Sequence, residues 1–474
     1  MASETANFPK TEYFTADVVV IGAGLSGLQA AVDIQAAGFT CLVVEANDRV
    51  GGKTLSIQSS SKPTGINDLG ATWVNDSNQS EIWKLFEKYD VGTVIQRATG
   101  TSFRQNENGN TISRPYHKES LGTNDERANE IRRIYGAILE AVETSDLEHP
   151  ETSASAQKLD NITFADFCHQ ISPTIGVVMG SVATASLLGV EAHEVSALFV
   201  INYIKSGYGI KIISSDEKDG AQYIRARRGM QAISEGLAGE LAQGSVHLST
   251  VVKSVQQRED GSYDVHSITG TVFRAKHVVV SVPTSLYHTI QFTPPLPENK
   301  QKLGESTALG YFSKVVLVFE KPWWHEAGLS GVMTSYKGPV SFTRDTSVPE
   351  DDQWSITCFL VGEMGRTWNK SPKDERQEAV LEQFSSVFST VATIPKPIAI
   401  HERIWSEDPY FLGAPSPVMG PGVLTSLGSD VLRTPVGNIH FIGTETSVVW
   451  KGYMDGAVRS GQKGAEEVVT SLRG

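Results

Sequence analysis

Two kinds of apolar pattern alternate along this chain. Asp17 to Ile21 (DVVVI) is a short β-branched run with no polar break, as in a parallel strand buried on both faces. Leu25 to Ala37 then takes up helical spacing and stops at Gly38, and Thr40 to Val44 is a second unbroken strand that ends on an acid, Glu45. Ser80 to Tyr89 predicts an amphipathic helix. From about Val91 to Ile112 the alternation is that of paired strands, with a turn at Asn108-Gly109. Asn124 to Glu148 predicts a charged helix, and Thr163 to Ile204 has helical periodicity with few charges. The block from about 91 to 225 is therefore expected to be mostly helical and to serve as a cap or substrate region. Gly229 to Leu241 predicts a helix, Val246 to Val255 a pair of strands, and Ala275 to Val282 a buried strand halted by Pro283. Tyr311 to Glu320 is a strand closed by Lys321-Pro322-Trp323-Trp324. Asp374 to Phe388 is a helix, Ile439 to Gly443 a strand, and Tyr453 to about Ser471 a closing helix. No internal repeat or low-complexity tract appears.

The first strand–helix–strand unit carries chemistry at its joints. Gly22, Gly24 and Gly27 follow the strand at G-x-G-x-x-G spacing. Gly22 permits the tight turn, Gly24 a close backbone approach to a pyrophosphate, and Gly27 close packing of helix on strand. The helix start offers free N–H groups and a positive dipole to phosphates. Glu45 ends the second strand, where a carboxylate can take ribose hydroxyls. Because all these features fall in register, the unit reads as a dinucleotide site. Arg49-Val50-Gly51-Gly52-Lys53-Thr54 adds a second glycine pair with a cation, giving the pyrophosphate further donors and a counter-charge. Val251-Val252 is expected to offer backbone groups to an adenine edge.

Composition narrows the partners. The chain has 474 residues, 40% hydrophobic and 20% charged, which suits two domains of an ordinary globular protein. A formal charge of −13 argues against nucleic acid or an anionic membrane surface. Cys41, Cys168 and Cys358 are odd in number and far apart, so neither a disulfide framework nor a metal spacing is expected. No apolar run reaches the length of a membrane helix, and residues 1–16 lack the pattern of a signal peptide. A cytoplasmic location is the expectation.

Taken together, VVVIGAGLSGL, VVEANDRVGGKT, DLGATWV, RGMQ (228–231), HVVVSVP, FSKVVLVFEKPWW and FIGTETSVVWKGYMDGAV resemble, in order and over nearly the whole chain, the flavin amine oxidase family. That family includes the monoamine and polyamine oxidases. The resemblance implies an α/β fold with a Rossmann-like FAD-binding domain of the glutathione-reductase type. This domain would be discontinuous, over 15–92, 228–297 and 402–474, with an α+β substrate domain over 93–227 and 298–401. It implies FAD contacts from Gly22, Gly24, Ser26, Gly27, Glu45, Ala46, Arg49, Gly51, Gly52, Lys53, Gly70, Ala71, Thr72, Trp73, Val252, Trp405, Gly443, Thr444, Glu445, Tyr453 and Met454. Lys53 departs from the family's arginine, keeping the charge but losing the bidentate fork.

Lys314, on an otherwise apolar strand, is implied to sit beside the flavin N5 and orient a water there. Taken alone it would read as a solvated charge at a strand edge. The implied reaction is hydride transfer from the α-carbon of a neutral primary or secondary amine to N5. It gives an imine, and O2 then reoxidises the flavin to yield H2O2. Tyr453 matches one ring of the family's aromatic cage and Pro415 stands where the other would be, while Tyr203, Ile213 and Gln231 match pocket positions. Ala414 replaces the cysteine that binds flavin covalently in mammalian monoamine oxidases, so FAD is expected to be non-covalent. Trp73 replaces the arginine of amino-acid oxidases, and Asn75 replaces the acid of plant-type polyamine oxidases. The expected partners are a small amine and O2, with room for a homodimer. The competing readings are a polyamine oxidase, and a biosynthetic tailoring oxidase or desaturase suggested by Arg227-Arg228 and the missing cage wall. A catalytically silent flavin protein is the third.

Overall fold

A computed structural model describes residues 12–60, 65–106, 108–116 and 126–474. Residues 1–11 and Asn124, on which parts of the expectations above fall, lie outside these. At the centre is a five-stranded, wholly parallel sheet in the order Val246–His247, Cys41–Val44, Val18–Ile21, His277–Val280, Ile439–Phe441. The unbroken apolar runs follow from burial on both faces. Val18, Val20 and Val279 face Leu25–Ala36, Gln231–Glu240 and Met454–Arg473. Val19, Ile21, Val278 and Val280 face a second sheet, built from Tyr13–Thr15, Val272–Ala275, Tyr263–Ser267, Val252–Gln257 and Gln291–Thr293. Successive strand residues point to opposite faces, so a strand covered on both sides leaves few positions for polar residues.

Leu25–Ala36 leaves the central strand through a turn that only glycine tolerates. Gly22 has φ +105°, and a Cβ on Gly27 would lie 2.0 Å from the Gly22 carbonyl oxygen. All the strands of this layer point their C-terminal ends at one crevice, where ligands of open α/β sheets bind.

Facing that crevice is a seven-stranded sheet. Its order is Ala399–Ile404, Phe312–Phe319, Trp354–Val361, Phe342–Asp345, Leu329–Ser335, Thr101–Gln105, Thr111–Pro115. Lys373–Phe388 covers its outer face through Val380, Phe384, Val387 and Phe388. A helical layer of Glu126–Thr144, Phe164–Ile171, Gly176–Leu188 and Ala197–Ser206 closes the crevice from the other side. Among the described residues no helix is long and apolar enough to cross a membrane.

Three sequence expectations need correction. Val246–His247 and Val252–Gln257 are not a pair. The first extends the central sheet beside Cys41–Val44 and the second joins the sheet behind it. Thr93–Ile95 pairs with Ile224–Ala226 across the chain, leaving the hairpin at Asn108-Gly109 to Thr101–Gln105 and Thr111–Pro115. The block from 91 to 225 therefore contributes strands as well as helices. Lys314 is not on a strand edge, because Phe312–Phe319 has paired neighbours on both sides.

Candidate active site

The crevice encloses one cavity of about 760 Å³, within the usual range for ligand sites. It runs from the first glycine turn to the faces of the large sheet and the helical layer. At the sheet end, Gly22, Gly24 and Ser26 form the floor, with Glu45, Ala46 and Val252 beyond them. No side chain caps the start of Leu25–Ala36, and a Cβ on Gly24 would meet nothing within 4 Å. The first-turn N–H groups therefore face open space, the arrangement an anion needs. The carboxylate of Glu45 is only 5% exposed and braces the same turn, accepting from the N–H groups of Ala23 (2.7 Å) and Asn47 (2.8 Å). Gly51, Gly52, Gly70, Ala71, Thr72, Trp73 and Trp405 continue the wall, and Gly443, Thr444, Glu445 and Met454 close it at the start of the last helix. This cradle fits a dinucleotide: glycine surfaces and free N–H groups at the phosphate position, and a buried acid beyond.

Of the residues singled out in the sequence, Gly27, Arg49 and Gln231 lie off the cavity wall, and Lys53 lines it while making a contact of its own. Gly27 is beneath the turn, where its missing Cβ allows the close packing of helix on strand expected of it. The Arg49 guanidinium also lies off the wall, donating to the carbonyls of Val50, Gly52 and Thr54 and so holding the second glycine loop in shape. Lys53 reaches across to the Pro415 carbonyl (2.9 Å), tying this loop to the opposite one. Burial pushes its ammonium down to about 8, against the attraction of Glu445. Gln231 is not a pocket residue. Its amide accepts from the Ser56 N–H and donates to the Val50 carbonyl, because Gln231–Glu240 packs on the nucleotide unit.

At the other end, Lys314 is 4% exposed and gives its three N–H groups to Thr72 Oγ1 (2.6 Å), the Gly70 carbonyl (2.5 Å) and the Asp68 carbonyl (3.3 Å). Its ammonium also faces the rings of Phe359 (5.3 Å) and Trp73 (5.4 Å). Burial lowers it to about 8, with Asp68 opposing. Asp68 in turn is pushed up to about 6 by burial, against the Ser56 hydroxyl and the Met230 N–H that it accepts.

Tyr453 stands at the start of Met454–Arg473, its ring 5.8 Å from Tyr203 and 4.9 Å from Trp450. Burial pushes its phenol up to about 12 and that of Tyr203 well above the ordinary value, so both stay neutral. Ile213, Ala414 and Pro415 complete this end as wall residues. Sequence reasoning missed Phe312, Phe342, Phe359 and Arg344, which share the cavity face of the large sheet. Phe312 was within reach, since it alternates in step with Lys314. The others come to this face only through the pairing of Phe342–Asp345 and Trp354–Val361 with Phe312–Phe319 and with each other.

Two features invoked for other substrates are not at the cavity. Asn75 is fully buried in a turn, its Oδ1 accepting from the N–H groups of Ser77 and Asn78. Arg227 pairs with Asp351 at the surface, and Arg228 donates to the Tyr89 carbonyl.

A dinucleotide cradle joined to a buried lysine and neutral aromatic rings defines a redox enzyme working with a nucleotide cofactor. The sequence model of the flavin containing amine oxidoreductase family matches residues 25–469, and the chain belongs to that family. It is accordingly an FAD-dependent oxidase acting on CH–NH bonds, with O2 as acceptor. The "Probable flavin-containing monoamine oxidase A" of Dictyostelium discoideum is 28% identical over 470 residues, which is 96% of this chain and 98% of that one. Cyclohexylamine oxidase from Brevibacterium oxydans IH-35A superposes with a TM-score of 0.88 at 28% identity, over 97% of this chain and all of that one. Wild-type putrescine oxidase bound to putrescine gives 0.88 at 26% identity with the same coverage.

Proposed function

We propose that this protein oxidises a neutral primary or secondary amine with one apolar arm, using non-covalently held FAD in a Rossmann-like, glutathione-reductase-type domain. The FAD-binding domain is assigned to 15–92, 228–297 and 402–474, and the substrate domain to 93–227 and 298–401. One observation carries the reading: a single cavity joins the glycine cradle to Lys314 and the Tyr203–Tyr453 pair, and its far end is lined mainly by apolar and aromatic side chains. When bound, FAD supplies the acceptor for a hydride from the amine's α-carbon, giving an imine, and O2 returns it to its starting state with release of H2O2.

The chain's own residues do the rest. The turn at Gly22–Gly27, Gly51-Gly52 and Glu45 hold the nucleotide. Tyr453 and Tyr203 present neutral ring faces that orient a neutral amine, while Phe312, Phe342 and Phe359 exclude water from the reacting carbon. Lys314 holds a proton close to where charge changes, and with its ammonium near 8 it is mostly charged at neutral pH. Ala414 supports non-covalent attachment, since the wall offers no thiol there. The positions of Asn75 and Arg227-Arg228 away from the cavity favour amine oxidation over the polyamine and tailoring alternatives.

The test is a purified protein that is yellow, releases its flavin on acid precipitation, and generates H2O2 from members of a panel of alkyl and arylalkyl amines. A flavin retained by precipitated protein would refute non-covalent binding. Anaerobic indifference of the bound flavin to every amine would refute the function.

A further inference from the structure

One charged group on the cavity wall takes no part in this chemistry. Arg344, on Phe342–Asp345, is half-buried and faces the cavity. Among the described residues its guanidinium makes one hydrogen bond, to the adjacent Thr343 carbonyl (3.1 Å), and lies over the Phe342 ring (5.5 Å), with no ion pair. An arginine has five N–H donors, so most are left over. The neighbouring Asp345 does not neutralise it. That carboxylate is on the opposite face, occupied by Trp324, His325 and the Ser347 N–H.

Register places the charge. Lys314, Phe359 and Phe342 are one row across three strands, and Val316, Thr357 and Arg344 are the row two residues along. Two strand spacings and one same-face step separate the backbones of Lys314 and Arg344 by on the order of 12 Å. An extended alkyl chain of several carbons covers that span. The only carboxylates on the wall, among the described residues, are Glu45 and Glu445, both at the nucleotide end.

Building on the amine-oxidase reading, we infer that Arg344 selects the far end of the substrate: the apolar arm ends in a carboxylate or comparable anion. A second ammonium would meet the guanidinium with no carboxylate on this part of the wall to offset it, since the nearby Asp216 carboxylate lies off the wall and is held by the Tyr116 hydroxyl, so α,ω-diamines are rejected. Arg344 touches the tail and not the reacting carbon, and its effect belongs in KM rather than kcat.

The experiment measures kcat/KM of the holoenzyme for hexylamine, ε-aminocaproate and hexamethylenediamine at neutral pH by peroxide release, with anaerobic flavin reduction in parallel. The native enzyme is expected to prefer ε-aminocaproate over the diamine by at least roughly tenfold, mostly through KM, as a charge-assisted bond gained against a repulsion requires. Arg344→Lys keeps this ratio within about threefold, Arg344→Gln collapses it towards one, and Arg344→Glu inverts it. Flavin content and melting temperature confirm that each variant is folded. The inference is overturned if the native enzyme shows no preference between the two tails, or if Arg344→Gln preserves it. If hexylamine is oxidised and tail preference is absent, only the role of Arg344 falls; if no amine reduces the flavin, the amine-oxidase reading falls with it.

Discussion

Replacing Lys314 with methionine keeps the length of the side chain and removes a buried charge with three hydrogen bonds. The acceptors left behind are Thr72 Oγ1 and the carbonyls of Asp68 and Gly70. Each such loss costs about 1 kcal/mol, partly offset because a buried ammonium no longer has to be desolvated. The pH dependence is more diagnostic than the net value. The folded ammonium sits near 8 against 10.5 when unfolded, so between these values the unfolded chain binds more protons and stability rises with pH. This one group contributes a rise of about 3 kcal/mol across that window. In Lys314→Met the rise from this residue is absent, and urea unfolding at pH 7.5 and 10 should show a smaller difference than in the native protein. In catalysis, the native enzyme should consume O2 after reduction fastest below pH 8, slowing as Lys314 loses its proton. The variant should be slower by about 10²-fold at pH 7 and show no inflection near 8. Stopped-flow measurement of anaerobic bleaching and of reoxidation separates the two half-reactions. If both rates in Lys314→Met stay within about threefold of native, Lys314 has no role in the chemistry.

Other perturbations probe the cradle and the core. Glu45→Gln keeps the shape but weakens the bonds from Ala23 and Asn47, and should raise the FAD dissociation constant about 10–100-fold in a fluorescence titration. Gly22→Ala forces a Cβ to 2.9 Å from the Ser281 carbonyl oxygen at φ +105°, and should cost about 1–3 kcal/mol, read as a lower melting temperature. His277, buried between the central strands and 3.3 Å from His440, is held down to about 4, first by burial and then by His440. Its folded value lies below the unfolded 6.5, so stability is lost as pH falls from 6.5 towards 4. His277→Phe should flatten that acid limb in a melting series; an unchanged limb would exclude this residue as its source.

Several features of this molecule are written in short stretches of chain. Val18–Ile21, the glycine turn and Cys41–Val44 are legible because their geometry is dictated locally: β-branched residues stiffen strands, and φ +105° admits only glycine. Lys314 stood out because a cation on an apolar strand needs a partner, although the sequence could not say that the partners would be carbonyls of the Asp68–Thr72 turn. Other side-chain contacts were not legible in the sequence. Gln231 turned to the nucleotide loop, Lys53 to Pro415, and Arg49 to its own backbone. Long flexible side chains take whichever carbonyl the fold brings near, and nothing in their own neighbourhood of sequence specifies it. The substrate end of the cavity depends still more on folding. Tyr203, Lys314, Phe342, Arg344, Phe359 and Tyr453 come from segments up to 250 residues apart (453 − 203) and meet only through strand register and helix packing. By itself, the sequence determined the cofactor and the family. The tertiary structure decided which charges face the substrate, because burial and pairing are properties of the assembled layers.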